Sequence, residues 1–308
     1  MKLINKKGSS VSRSSHNKKL FHKPGRDFLT SLGFTGPGFA GVLIFFIAPF
    51  AVVVYYSFTR GVLDHTFTGM QNYSNVVHNS AFQLAMRNTF KFTIAAVPLA
   101  VVLSLFLALL LEQKMFGKSQ WRTFFLSPIM VPIASTILVW QVLFHSGGVI
   151  NDFIAIFGVD KIDWLKSEYC LVVIVILFLW KNLGYNMILF MAALNNIPKT
   201  LLEAADVEGA SAIHKFVHIK LRYLSPTILF VAILSIINSF KVFREIYLLS
   251  GDYPYDGLYM LQHFMNNMFR TLDYQRLSAA AVILALIMIG IIALLFVVEN
   301  KFGKDIEG

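Results

Sequence analysis

The chain has 308 residues, of which 56% are hydrophobic and only 14% are charged, and its formal net charge at pH 7 is +10. Because a soluble domain usually carries about 25% charged residues, this composition excludes an ordinary water-soluble protein and favours one that is partly solvated by lipid. The single cysteine, Cys170, excludes an internal disulfide and a cysteine-rich metal site. We interpret Cys170 as a packing residue.

The apolar residues form six long runs, each close to the ~20 residues that an α-helix needs to cross ~30 Å of hydrocarbon. A membrane β-barrel would show alternating segments of ~10 residues instead. The sequence therefore predicts an all-α, polytopic membrane protein with about six transmembrane helices. Pro49, Pro98, Pro128 and Pro132 lie inside the predicted spans, where proline breaks a helix hydrogen bond. They fit either a moving pathway or static kinks. The predicted spans are residues 38–58, 92–111, 124–144, 170–194, 225–249 and 279–298.

Lysine and arginine are unevenly distributed among the segments between these spans. If the N-terminus is inside, the inside segments contain 17 of them and the outside segments 7. This bias predicts a multi-pass protein of the cell membrane with both termini in the cytoplasm. We expect a basic tail over 1–37 that can contact anionic lipid, a transmembrane domain over 38–300 and a short tail over 301–308. The basic charge requires no nucleic-acid partner.

The sequence lacks the common catalytic motifs. Residues 117–119 (Gly-Lys-Ser) resemble the end of a phosphate-binding P-loop, but Glu112 stands where its first glycine would be. His214 and His218 have helical spacing, but a zinc-protease helix needs a glutamate directly after the first histidine, and Lys215 is there. We therefore predict no enzymatic activity and no metal or cofactor bound by this chain, and we favour transport or signalling.

The segment 195–224, predicted inside, contains the pattern of a short helix followed by a turn. Pro198 suits a first helical turn, and Gly209 suits a helix end because glycine readily adopts a left-handed conformation. A second helix over 211–221 would lead into the fifth span. By composition alone, the segment also fits an ordinary interfacial amphipathic loop.

This segment resembles the EAA loop of binding-protein-dependent ABC importer permeases, in the sugar-importer branch related to the maltose importer's larger permease. The likeness extends over residues 38–300, with Glu208 in place of the usual Asp and Arg222 in place of the usual Pro, so that Pro226 would set the bend into the fifth span. The matching residues are Glu203-Ala204-Ala205, Gly209-Ala210, Phe216, Ile219, Leu221 and Pro226, with Trp180, Gly184, Leu194, Pro198, residues 239–247, Asn72-Tyr73 and Asn88-Thr89 elsewhere.

The resemblance implies a subunit that works with other proteins. Its partners would be a second, similar permease, two ATP-binding cassette ATPase subunits and an extracellular solute-binding protein. ATP and Mg would be bound by the ATPase partner, and the loop helix would dock into a cleft of that partner. The implied coupling residues are Glu203, Ala204, Ala205, Asp206, Gly209 and Ala210.

Polar residues inside the fourth and fifth predicted spans suggest a solute pathway, because charges at membrane depth usually face a bundle interior or water. Lys241 and Glu245 are four residues apart and can form an ion pair, whereas Arg244 lies near the outer end and can snorkel. Whether these three are structural or contact cargo stays open, and the neutral residues also suit hydrogen bonds between helices. The candidate pathway residues are Asn182, Gly184, Tyr185, Asn186, Asn238, Ser239 and Lys241.

The resemblance, together with the polar residues in the spans, implies a permease subunit of an ATP-driven importer that moves a sugar, with an oligosaccharide as the favoured cargo, by alternating access. Two alternatives remain open. The same machine could import another polar solute, such as a glycerophosphate or an amino acid. A non-transport membrane signalling subunit is the alternative from a different class, and it would leave the EAA-like loop unexplained.

Overall fold

The computed structural model describes residues 24–61, 66–113 and 116–303, and helices dominate them. The only β structure in these three ranges is a two-stranded antiparallel ribbon, β1 (Thr59–Arg60) with β2 (Thr66–Phe67). The all-α prediction is therefore confirmed. Most of the predicted basic N-terminal tail and the last five residues lie outside the described residues. The chain divides into two compact units, Met1–Val52 and Val53–Gly308.

The first unit contains α1 (Pro24–Val42), a π-helical stretch (Leu43–Ile47) and the first half of α2 (Ala48–Ser57). Residues Gly33–Ser57 are long and apolar enough to cross a membrane. The first helix thus begins well before residue 38, so residues 24–37 are helical and do not form an extended tail.

The second unit is a helical bundle. Two of its helices, α4 and α8, run parallel, since their N-terminal halves share one buried cluster and their C-terminal halves share another. α11 runs in the opposite direction and packs against both of them. The helices are α3 (Gln71–Val77), α4 (Ser80–Glu112), α5 (Lys118–Met130), α6 (Ile133–Leu143), α7 (Val149–Ala155), α8 (Cys170–Asn195), α9 (Lys199–Val207), α10 (Ala212–Lys215), α11 (Leu221–Phe240), α12 (Phe243–Ser250), α13 (Leu261–Arg270) and α14 (Tyr274–Gly303).

The third predicted span is not one straight helix. α5 and α6 meet at a bend of 100°, so the predicted span over 124–144 is broken at Val131 and Pro132. Val131 is extended, with φ −83° and ψ 127°, because the residue before a proline is forced out of the helical region. Pro132 also lacks the N–H that would continue the ladder. Five described helices are span-like, and this bent pair makes six if it counts as one.

The fifth predicted span is also interrupted near its end. α11 ends at Phe240, a turn follows at Lys241 and Val242, and α12 begins at Phe243. Lys241 therefore lies outside the helix that carries Glu245. The break matters for the site because it re-aims the charged residues that follow it.

Long-range hydrogen bonds fix the segment between α12 and α13 against α4. The Asn88 side chain donates to the carbonyl oxygens of Asp256 (2.5 Å) and Tyr259 (3.1 Å). The backbone N–H of Leu261 donates to Thr89 Oγ1 at 2.9 Å. Asn88 and Thr89, two of the residues that carry the family resemblance, thus have a structural explanation: they place α13 beside the cavity described next.

Candidate functional site

A polar cavity of about 480 Å³ lies where α8, α11, α12 and α13 meet. The break between α11 and α12 contributes to this cavity, because the Lys241–Val242 turn forms part of its wall. Its volume lies within the range of small-ligand pockets. The lining residues are Leu177, Phe178, Lys181, Asn182, Asn238, Lys241, Val242, Arg244, Glu245 and Gln262.

Two asparagine side chains connect α8 and α11 at the wall of the polar cavity. Asn238 donates to Asn182 Oδ1 at 2.9 Å, and Asn182 donates to the Phe178 carbonyl oxygen at 2.8 Å. A primary amide can make four hydrogen bonds, so both side chains keep unused donors or acceptors. They are therefore suited to hold the hydroxyl groups of a polar solute.

A buried ion pair joins α8 to α12 at the same cavity. Lys181 Nζ contacts Glu245 Oε1, with side-chain exposures of 34% and 6% respectively. The predicted pair between Lys241 and Glu245 is therefore wrong, because the turn at Lys241 removes the helical spacing that the prediction assumed. Such a pair orients the two helices, since an unpaired charge at Glu245 would be costly.

Two cations in the cavity wall have no carboxylate partner among the residues that the structure describes. They are Lys241 and Arg244, and both are exposed to the cavity side of the bundle. Arg244 and Lys181 also line a second, smaller cavity of about 220 Å³ at the α5–α6 bend. Arg244 is therefore a cavity-lining residue, whereas the sequence left open whether it snorkels.

Four predicted pathway residues lie outside the lining of the polar cavity. Asn186, 1% exposed, donates to Ser235 Oγ at 3.0 Å, and the fully buried Ser239 shares a 3.0 Å hydrogen bond with Thr93. Both therefore make hydrogen bonds between helices, the alternative that the sequence left open. Tyr185 is 45% exposed on the surface of α8.

The fourth of these residues, Gly184, lies at a close approach of two helices. A Cβ at this position would overlap the backbone carbonyl of Phe125 in α5. Glycine is therefore required for helix packing here, as small residues often are between membrane helices. Sequence reasoning missed Gln262, which reaches the cavity from α13, because nothing local indicates that α13 packs against α4 and α12 beside the cavity.

The α9 loop, residues 195–224, has the predicted helix–turn–helix form. Gly209 has φ 77°, and Ala210 N–H bonds to Ala205 O while Gly209 N–H bonds to Asp206 O. These two bonds define a Schellman ending, which requires the left-handed glycine. The prediction for Gly209 is confirmed, although α9 begins after Pro198 rather than at it.

Polar contacts fix the α9 loop to the rest of the bundle. Asp206 pairs with Lys215 across the turn, and Lys220 Nζ lies 2.7 Å from Glu112 Oε2 at the end of α4. The outer surface of the loop is open: Val207 is 89% exposed and Glu203 is exposed without an ion-pair partner in the described chain. The loop thus presents a rigid, uncovered helix, with Ala204 and Ala205 on α9 and Ala210 at the turn.

At the opposite end, α13 contains a buried histidine. Burial lowers the pKa of His263 from 6.5 to about 4. Its Nδ1 accepts the Met260 N–H at 3.2 Å, and its ring packs edge-on against Phe243. The neutral ring therefore joins α13 to α12, next to the Gln262 wall of the polar cavity.

The second unit is thus a helical bundle with a polar cavity and an exposed loop helix. The chain matches the family described as "Binding-protein-dependent transport system inner membrane component" over residues 88–307, and it belongs to that family. It is 31% identical over 224 residues to the arabinooligosaccharides transport system permease protein AraP of Bacillus subtilis, covering 70% of each chain. It is 28% identical over 272 residues to the sn-glycerol-3-phosphate transport system permease protein UgpA of Yersinia enterocolitica, covering 86% of this chain and 92% of that one.

A solved structure shares the fold. A chain of the bacterial alginate ABC transporter, in complex with an alginate pentasaccharide-bound periplasmic protein, superposes with a TM-score of 0.78 at 19% identity, covering 93% of this chain and 99% of that chain. The permease fold predicted from the sequence is therefore confirmed, and the chain is a multi-pass membrane transport subunit.

Proposed function

We propose that this chain is the membrane subunit of an ATP-driven importer, and that its cargo is a saccharide of oligosaccharide size. The polar cavity carries this proposal, because two amides with spare hydrogen-bonding capacity lie beside aromatic Phe178. Neutral donors and acceptors next to an apolar plate suit hydroxyl-rich rings. The similarity to AraP, a permease named for arabinooligosaccharides, supports the same class of cargo.

The α9 loop is proposed to couple transport to ATP hydrolysis in a partner ATPase that binds ATP and Mg. Helix α9 ends in a Schellman turn, and the loop is fixed to α4 through Lys220 and Glu112. Movement of a docked partner would therefore pass to the bundle as a rigid-body shift. Exposed apolar groups on the loop, Val207 (89%) and Ile213 (77%), give the partner a surface to cover. The complete importer would also contain a second permease and a solute-binding protein.

The proposed orientation places the α9 loop in the cytoplasm and α7 outside, following the excess of basic residues, 17 against 7, on the α9 side. Two exposed positions test it: Phe116, 99% exposed between α4 and α5, and Ile156, 77% exposed after α7. A membrane-impermeant maleimide should label Ile156→Cys in intact cells and Phe116→Cys only after permeabilisation. The native Cys170 is buried and provides a low background. The reverse labelling would refute the orientation.

Reconstitution tests the function itself. The purified chain alone should not hydrolyse ATP, whereas proteoliposomes with both permeases, the ATPase subunits and the binding protein should take up labelled oligosaccharide only with ATP. Vesicles that lack the ATPase subunits are the control. Vigorous ATP hydrolysis by the single chain, or failure of the full complex to import any saccharide, would contradict the proposal.

A further inference from the structure

The charges around the polar cavity do not balance. Three cations, Lys181, Lys241 and Arg244, line it together with one anion, Glu245. Glu245 Oε1 is already engaged by Lys181, and the carboxylate of that pair is buried. The cavity therefore keeps two positive charges that no carboxylate of the described chain neutralises.

These two charges lie close together along the chain. The Arg244 N–H bonds to the Lys241 carbonyl oxygen at 3.4 Å, so both residues belong to one turn between α11 and α12. The adjoining wall is apolar at Leu177, Phe178 and Val242. Low-dielectric walls focus the field of nearby charges, and cations inside a membrane protein usually mark the path of a ligand or ion.

We infer that the cargo carries an anionic group, a carboxylate or a phosphate, which docks on Lys241 and Arg244. This inference rests on the proposed function and specifies its substrate class as an acidic saccharide or a phosphorylated sugar or polyol. The guanidinium of Arg244 matches the geometry of both groups, and Lys241 adds a point charge. Asn182 and Asn238 hold neutral hydroxyl groups of the same solute on the adjacent wall.

An alternative source of negative charge for Lys241 and Arg244 is the second permease, and it predicts a different dependence of uptake on cargo charge. If a carboxylate of the second permease neutralises Lys241 and Arg244 in the assembled importer, cargo charge has no effect on uptake. Two matched probe pairs separate these cases: trigalacturonate with its carboxyl-reduced neutral counterpart, and glycerol 3-phosphate with glycerol. Each pair keeps the hydroxylated frame and removes the negative charge, and the two pairs distinguish a carboxylate from a phosphate source.

The test uses the complete reconstituted importer and measures initial uptake rates for all four probes. The wild type should import at least one charged probe in preference to its neutral partner. Lys241→Gln and Arg244→Gln should each raise KM for that probe about tenfold, the expected loss for one charge-assisted hydrogen bond. Lys241→Arg and Arg244→Lys keep the positive charge, so their KM for that probe should stay close to the wild-type value. Lys166→Gln, an exposed lysine at the same end of the bundle and outside the cavity lining, should behave as wild type.

Each result decides one claim. Equal uptake of charged and neutral probes, or a charge preference that both glutamine variants retain, would overturn the inference and leave sugar import standing. Transport of neutral oligosaccharides alone would also overturn it. Failure to import any probe or any neutral oligosaccharide with ATP would instead remove the proposed function on which the inference rests.

Discussion

Lys181 of α8 and Glu245 of α12 form an ion pair across 64 residues of sequence, and the carboxylate side is almost fully buried, at 6% exposure against 34% for the lysine. The second carboxylate oxygen is buried without a hydrogen-bond partner among the described groups. The two members are therefore unequal: Lys181 can be solvated if its partner is removed, but Glu245 cannot.

This inequality predicts an asymmetric mutational response. Lys181→Met leaves a buried charge unpaired and should cost about 3 kcal/mol of stability, whereas Glu245→Gln should cost much less because the freed lysine reaches water. The double variant Lys181→Met/Glu245→Gln should recover most of the loss. Unfolding in detergent, followed for all four proteins, measures these differences. Equal losses for the two single variants would show that the pair is not buried as described.

The contact of Gly184 with α5 predicts a packing defect. Gly184→Ala places a methyl group against the Phe125 carbonyl and should cost about 1–3 kcal/mol, as overpacking does. Gly290→Ala is the matched control, because this glycine also lies inside a long apolar helix and a Cβ there meets no atom within 4 Å. Thermal unfolding should separate the two variants, and equal stabilities would contradict the close approach of α8 and α5.

Substitutions at Asn182 and Asn186, the two asparagines in the interior of α8, should have different effects on transport and on stability. Asn182 lines the polar cavity, whereas Asn186 bonds to Ser235 between helices. Asn182→Ala should therefore raise KM for cargo by about threefold to tenfold, the value of one or two hydrogen bonds, while Asn186→Ala should lower stability by about 1 kcal/mol with KM unchanged. Uptake kinetics and unfolding of both variants give the comparison. A raised KM in Asn186→Ala alone would place the pathway elsewhere.

His263 predicts a pH dependence of stability outside the membrane spans. Because burial lowers its pKa from 6.5 to about 4, the unfolded chain binds this proton more readily than the folded chain. The stability that the neutral His263 ring gives the folded chain is fully present above pH 6.5 and is lost as the pH falls toward about 4. At pH 5 the loss should be about 2 kcal/mol. His263→Asn should remove this part of the dependence; an unchanged pH profile would show that His263 titrates normally.

The sequence predicted most of the helices, because runs of about 20 apolar residues have one stable solution in lipid. It did not predict which of the helices break, or where. Pro98 lies inside the unbroken α4, whereas Pro132 ends α5 at a 100° bend. Both prolines stand in apolar runs, so the difference depends on tertiary packing and on which freed backbone groups find partners.

The candidate site was predicted in part. Asn182, Asn238 and Lys241 reach the polar cavity as expected, and Gly209 has the left-handed conformation that its position after a helix requires. The partner of Glu245 was assigned wrongly because helical spacing favoured Lys241, and a contact between residues 64 positions apart leaves no local signal. A polar residue in a span does not reveal whether it faces a cavity or another helix.

The coupling role of the α9 loop is the central claim, and glycine substitutions test it with a matched control. Gly209 and Gly158 have φ 77° and 76°, and a Cβ at either meets no atom within 4 Å. Gly209→Val and Gly158→Val therefore impose a similar local strain of about 1–2 kcal/mol. Only the first should disturb the loop. Glu203→Lys reverses a charge that a docked partner would hold, a loss of about 2–5 kcal/mol.

The decisive measurement is the ATPase rate and the uptake rate of the full complex, taken on the same proteoliposomes for these variants. Gly209→Val and Glu203→Lys should abolish uptake, either by releasing the ATPase subunits or by leaving hydrolysis that moves no cargo, while Gly158→Val should transport as the wild type does. Wild-type uptake in both α9-loop variants would contradict the account and reduce the loop to a connector.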